Sequence, residues 1–240
     1  YLADGPDELR IVDVSNPAAP ALLSWWHSAG VPYSMHATAQ KLVTADISGR
    51  LHIYDSTGST ALVEQALFDG IPRSTLALDV TGGYAYLAGD DEGLVILDIT
   101  TYGSIKVTGR LLYSDELVYD ITTVGNYAYL ANMNGADGGG LRIVDISNPY
   151  RPQQVGQVDA SNGGFSAIQV RSSLAYVVGD SKLMVFNVSN PTAPVQVGYC
   201  ELDEAVDLVV VGDYAYVASR YEGISIVDIS NPAAPLLVGK

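Results

Sequence analysis

The chain is short of positive charge and almost devoid of cysteine. Twelve Lys and Arg stand against 27 Asp and Glu in 240 residues, a formal charge of −15. A surface of that sign repels phosphate backbones, which argues against a nucleic-acid partner. The single thiol, Cys200, excludes an internal disulfide and any cysteine-based zinc site. Apolar runs such as residues 208–211 fall far short of the roughly 20 residues a membrane-spanning helix needs. Helical spacing is nowhere sustained over about ten residues, so the chain reads as all-β. Only 16% of residues are charged and 48% are hydrophobic, which excludes a disordered chain and a coiled coil. Catalytic signatures are missing too: no Gly-x-Ser-x-Gly elbow, phosphate loop, His-Glu-x-x-His pair or Ser-x-Asp-x-Gly-x-Thr-Trp box occurs. The sequence opens at Tyr1 and not at Met, so no targeting segment is read from it.

What the chain does have is repetition. A Gly/Leu-x-Ile-Val-Asp segment recurs, ending at Asp13, Asp55, Asp98, Asp145, Asn187 and Asp228, at steps of 42, 43, 47, 42 and 41 residues. The one long step holds a Gly-rich insert, residues 132–140. Four anchors continue as Ser-Asn-Pro-x-x-Pro, at residues 15–20, 147–152, 189–194 and 230–235. The second and third repeats instead read Ser56-Thr57-Gly58 and Thr100-Thr101. Upstream of the anchors runs Gly-x-Tyr-Ala-Tyr-Leu/Val-Ala, at residues 82–88, 125–131 and 212–218, with worn copies from Ser173 and Lys41. Tyr1-Leu2-Ala3-Asp4 is the tail of a further copy.

Each repeat reads as four short strands, as in residues 205–211, 214–218, 224–229 and 236–239. Gly212-Asp213 suits a tight hairpin. The Ile/Val-rich third strand has the pattern of a strand buried on both faces. Its closing Asp accepts backbone hydrogen bonds from the Ser-Asn-Pro turn, where Pro fixes φ and removes an unneeded donor. About 40 residues bury too little surface alone, so the units must stack on one another, and radial stacking is the β-propeller. The expected fold is one all-β domain spanning 1–240, a six-bladed β-propeller of four-stranded antiparallel blades. Its repeats run approximately 1–30, 31–70, 71–115, 116–162, 163–204 and 205–240. The first blade lacks its innermost strand, an open edge that costs unpaired backbone groups. Residues beyond Lys240 are the favoured source of that strand, with donation by a neighbouring molecule or an open ring as the other two.

Side chains that would carry chemistry are few. Aligned on the Tyr-Ala-Tyr strand, Ser34, Asp120 and Asp207 share one inner-strand level, near the mouth where inner strands begin, and His36 lies two residues on. They are the low-ranking catalytic candidates, with satisfaction of backbone donors as the plainer role for the carboxylates. Asp90, Asp91 and Glu92 offer hard oxygen ligands that calcium would accept, without the spacing of a calcium loop. Asp115-Glu116 and the 201–204 stretch are similar acidic loops. No other cofactor is expected. Adjacent Trp25 and Trp26, following the fourth strand of the first repeat, face opposite sides, one inward and one free to meet a partner. Asn134 and Asp137, in the Gly-rich insert, are the other binding candidates. The Asn187-Val188-Ser189 sequon reads as turn chemistry.

The run Leu9-Arg10-Ile11-Val12-Asp13-Val14-Ser15-Asn16-Pro17, its copies at 141–149 and 224–232, and the Tyr-Ala-Tyr strands resemble the LVIVP-repeat β-propellers of bacterial and archaeal surface or secreted proteins. The resemblance spans nearly the whole chain and implies a propeller at the cell surface or outside the cell, with no defined activity. The expected function is a non-catalytic extracellular binding or scaffold module that contacts protein or glycan at its faces, with homo-assembly as a further outcome. The rival is a metal-assisted hydrolase or lyase with Ser34, His36, Asp120 and Asp207 at the channel mouth.

Overall fold

A computed structural model describes residues 1–4, 8–28, 30–58, 62–72, 75–89, 92–113, 117–133, 139–161, 163–179 and 181–240. They form six antiparallel sheets in chain order. Blade one is β1 (Leu2–Asp4), β2 (Glu8–Asp13) and β3 (Ala21–His27), and blade two is β4 (Pro32–Ala37), β5 (Lys41–Asp46), β6 (Arg50–Asp55) and β7 (Val63–Asp69). Blade three is β8 (Thr75–Thr81), β9 (Tyr84–Gly89), β10 (Gly93–Asp98) and β11 (Lys106–Leu111). Blade four is β12 (Leu117–Val124), β13 (Tyr127–Met133), β14 (Gly140–Asp145) and β15 (Gln153–Asp159). Blade five is β16 (Phe165–Arg171), β17 (Leu174–Gly179), β18 (Lys182–Asn187) and β19 (Val195–Glu201). Blade six is β20 (Ala205–Val211), β21 (Tyr214–Ser219), β22 (Gly223–Asp228) and β23 (Leu236–Gly239). This is the six-bladed propeller the repeats demand, with three strands in the first blade and no α-helix among the described residues.

Blade stacking follows from strand alternation. Residues one face apart on β9 and β10, such as Tyr86 and Leu94, pack forward onto Ile121, Ala128 and Val144 of blade four. Their neighbours Ala85 and Val95 pack backward onto Val43 and Ile53 of blade two. The same forward-to-backward packing joins blade four to five and blade five to six. Each sheet is therefore apolar on both faces, and dispersion and hydrophobic burial between sheets replace the core that one blade lacks.

Two irregularities recur in register. Every inner strand carries a bulge two residues into its pairing, skipping Tyr33, Leu76, Tyr119, Ser166 and Val206. Every outer strand slips against the third strand as well, as between Ile143 and Val144. Bulges sharpen the local twist and re-aim the side chains that follow.

All six anchors close their blades identically. Asp13, Asp55, Asp98, Asp145, Asn187 and Asp228 each accept the backbone N–H two residues on, at 2.8–3.0 Å. Asn187 is thus part of the turn. Where Ser-Asn-Pro follows, the Asn carbonyl accepts a further N–H three residues on. The carbonyl of that turn's Pro then lies against the outer strand of the preceding blade: a Cβ on Gly109, Gly156 or Gly198 would collide with Pro149, Pro191 or Pro232 respectively.

The third strand of the sixth repeat departs from the two-sided burial its composition suggests. Ser225 and Val227 are buried, but Ile224 is 59% exposed, because no described sheet covers the forward face of blade six. Trp25, Trp26 and His27 also lie within β3 itself, the outer strand of blade one, and not beyond it.

Candidate functional site

The inner strands supply the polar groups nearest the axis, and most of them are spent holding blades together. Asp79 on β8 accepts the backbone N–H of Thr123 on β12 at 2.6 Å and its hydroxyl at 2.8 Å. Asp120 on β12 accepts the N–H of Ile168 on β16 at 2.8 Å and that of Ile121 at 2.8 Å. Gln169 on β16 accepts the N–H of Val210 on β20 at 2.5 Å. In each case a side chain satisfies a backbone donor on the next blade, which would otherwise be buried without a partner. His36 joins the same belt, with Nδ1 2.9 Å from Asp79.

These contacts set the carboxylates' acidities in opposite directions. Burial pushes Asp79 up, but His36 and Thr123 outweigh it and the carboxyl ends below its ordinary value. For Asp120 burial wins: two N–H donors are insufficient, Asp207 and Asp79 add like charge, and the group is pushed up to about 7. Asp207 is exposed and accepts the N–H of Leu208 at 2.8 Å, while Ser34 is half-buried. His36 is engaged by Asp79, and Asp120 by two backbone N–H groups.

A cleft of 460 Å³ opens at the mouth where the inner strands begin. Its walls include Tyr119, Ser166 and Val206, the bulged residues of three successive inner strands, together with Ser181, Glu204 and Arg220. Only three non-glycine residues among those described have positive φ, and two of them, Ser181 at 56° and Glu204 at 45°, line this cleft. Such backbone is costly and concentrates where a surface is shaped for contact. The Glu204 carbonyl accepts the Arg220 N–H at 3.0 Å, fixing an acidic and a basic residue side by side. Sequence reasoning missed this cleft, since a bulge leaves no signature in composition.

The other candidates are scattered. Trp25 is 54% exposed and meets His27 edge-on, ring centroids 4.9 Å apart, while Trp26 packs inward against the Leu9, Leu42 and Tyr54 cluster. Glu92 pairs with Arg110 on β11. Asp90, Asp91, Asp115, Glu116, Asn134 and Asp137 lie outside the described residues. Among the described residues no three His, Cys, Asp or Glu side chains are grouped closely enough to hold a metal. A second polar cluster, also missed, is centred on buried His52 and Asp46 in blade two: His52 Nδ1 lies 2.9 Å from Glu64 and Nε2 3.4 Å from Asp46, which also holds Arg50 at 2.8 Å. Burial pushes Asp46 up, but bonds from Arg50, His52 and Ser48 leave it below its ordinary value. The alternation Asp46, Arg50, His52 at the β5–β6 turn was the available signal.

Radial sheets joined by inner-strand bonds and anchor turns define the class: a repeat propeller built from one sequence unit. The family model of the LVIVD repeat matches residues 1–25, 72–110, 118–160, 163–201 and 204–240. The chain belongs to the LVIVD repeat family. No curated protein matches it. Among solved structures, a protein from Lactobacillus plantarum is 14% identical with a TM-score of 0.73, covering 98% of this chain and 82% of its own. The β-propeller domain of Myceliophteria thermophila Cps50 (Swd1) is 11% identical with a TM-score of 0.70, covering 91% and 76%. The computationally designed Ika8 protein is 13% identical with a TM-score of 0.69; 91% of this chain matches 64% of Ika8, so the match spans under two thirds of that chain. At these identities the likeness is one of fold.

Proposed function

We propose that the chain is a non-catalytic binding module, working outside the cell or at its surface, that takes a polar protein segment or glycan in the cleft between Tyr119, Ser166, Glu204 and Arg220. The observation that carries this reading is the coincidence of Ser181 and Glu204, in costly left-handed backbone, with the walls of that one cleft. Tyr119 offers a ring for stacking, and Arg220 and Glu204 offer opposite charges to a carboxylate or hydroxyl array. Exposed Trp25 on the outer strand of blade one supplies a separate aromatic contact.

The test is a calorimetric titration of the 240-residue chain with two panels, soluble acidic and neutral oligosaccharides and short peptides. Binding to one panel that Arg220→Ala weakens at least about tenfold supports the cleft. Binding that Arg220→Ala and Tyr119→Ala leave intact, but Trp25→Ala abolishes, moves the site to β3 and overturns it.

A further inference from the structure

The forward face of blade six is bare in a way no other blade is. Tyr216 is 37% exposed and Ile224 59%, whereas Tyr86, Tyr129 and Tyr176, which hold the place of Tyr216 in earlier blades, are 3%, 4% and 6% exposed. On the far side of the same seam, Val14 of blade one is 66% exposed, although its counterparts Ile99, Ile146, Val188 and Ile229 are buried. Blade six and blade one therefore present the two halves of an ordinary blade junction to each other without packing together. Between them, among the described residues, β1 pairs only with β2, so its inner edge is open as well.

The turns say what fits there. The outer-strand residue opposite the third strand is Gly109, Gly156 or Gly198 in blades three to five, and each is followed by a blade whose Pro carbonyl occupies the missing Cβ's place. In blades one and two the same position is Ser24 or Ala66, and the following blade lacks the Pro turn. Blade six has Gly239 there, yet the nearest atoms to its absent Cβ belong to Ile226 of its own sheet, at 3.6 Å or more. Blade one has the matching turn, residues 15–20, and none of the described glycines has its Cβ position against it. A blade seated between them would meet Gly239 with a Pro turn and the 15–20 turn with an outer-strand glycine.

We propose that the seam receives one further blade of this same repeat, from a segment ahead of Tyr1 that runs on into the inner strand β1 lacks. In a complete blade, inner and second strands are joined by a two-residue turn such as Gly212-Asp213, so one continuous segment fills both openings. A second copy docking its blade one onto blade six would cover the faces but leave β1 unpaired, in a head-to-tail array that does not close.

Two measurements test this. Spin labels at Ser15→Cys and Ser230→Cys, equivalent exposed positions just past β2 and β22, in a Cys200→Ser background, report the width of the seam. Packed sheets lie about 10 Å apart, so room for one blade gives about 20 Å, and a separation near 10 Å overturns the proposal. Second, a duplicate of residues 163–215 is fused ahead of Tyr1, which keeps the register of the Tyr-Ala-Tyr strand and supplies both Gly198 and the 189–194 turn. The extended chain is expected to be monomeric, with amide exchange at Tyr216 and Ile224 slowed at least about tenfold. Gly239→Val is expected to lower the unfolding midpoint of the extended chain and to leave the 240-residue chain unchanged. Unchanged exchange with equal effects of Gly239→Val in both chains overturns the proposal. So do concentration-dependent oligomers of the 240-residue chain that Ile224→Asp abolishes, since they name a second copy as the occupant.

Discussion

Thr123 on blade four donates both its backbone N–H and its hydroxyl to one carboxylate oxygen of Asp79 on blade three. Asp79→Ala leaves a half-buried N–H without its partner and is expected to cost about 1–3 kcal/mol in urea unfolding. Thr123→Val removes the hydroxyl alone and is expected to cost less. A double-mutant cycle gives the coupling, and additive effects would show that the hydroxyl contact contributes nothing.

Asp120 gives the opposite pH signature to most carboxylates. Its acidity moves from 3.8 to about 7 on folding, so between those values the folded chain holds a proton the unfolded chain has lost. Its contribution to stability is therefore largest below about pH 4 and declines as pH rises to about 7. Asp120→Ala is expected to destabilise more at pH 5 than at pH 8. Equal losses at both pH values in urea titrations would refute this acidity.

Asp145 behaves in the ordinary sense. The Ser147 hydroxyl and backbone N–H hold it below 3.8, so its support is present at neutral pH and fades as pH falls through the folded value. Asp145→Asn keeps the turn, as Asn187 does in blade five, and is expected to match the parent at pH 7 while losing less stability on acidification, read by thermal melts from pH 7 to pH 3.

Ser172 stands at φ 56°, where the matching turns have Gly82, Gly125 and Gly212. Only glycine takes that backbone without strain, so Ser172→Gly is expected to stabilise by about 1 kcal/mol. A neutral or destabilising result by thermal unfolding would mean the hydroxyl carries a bond that offsets the strain.

Gly156→Ala drives a Cβ into the Pro191 carbonyl and is expected to cost about 1–3 kcal/mol, whereas Ala66→Gly, facing a blade with no Pro turn, is expected to cost less than about 1 kcal/mol. Chemical denaturation of both variants settles the comparison.

Strand order, anchor turns and the short first blade were legible because each rests on local chemistry: Tyr/Ala alternation, Gly-first hairpins, Asp capping a Pro turn. The two-sided character of Trp25 and Trp26 was legible from alternation alone. The cleft was not, because Tyr119, Ser166 and Val206 are aimed by bulges, and a one-residue slip reverses which side chains face the mouth. That Asp120 and Asp207 satisfy backbone donors was legible; the blade-to-blade belt from Asp79 through Asp120 to Gln169 was not, because the partner is a backbone amide 41 to 48 residues away with no residue type of its own. His52 was visible only as one of three histidines; its two carboxylate neighbours come from the strands on either side, Asp46 ending β5 and Glu64 on β7.

The fit between an outer-strand glycine and the next blade's proline carbonyl makes these units directional parts with two kinds of socket. Blades three, four and five accept a proline-bearing neighbour, and blades one and two do not. Rearranging the repeats would therefore fail wherever Ser24 or Ala66 met such a neighbour, while doubling blade four or blade five would preserve every mating pair.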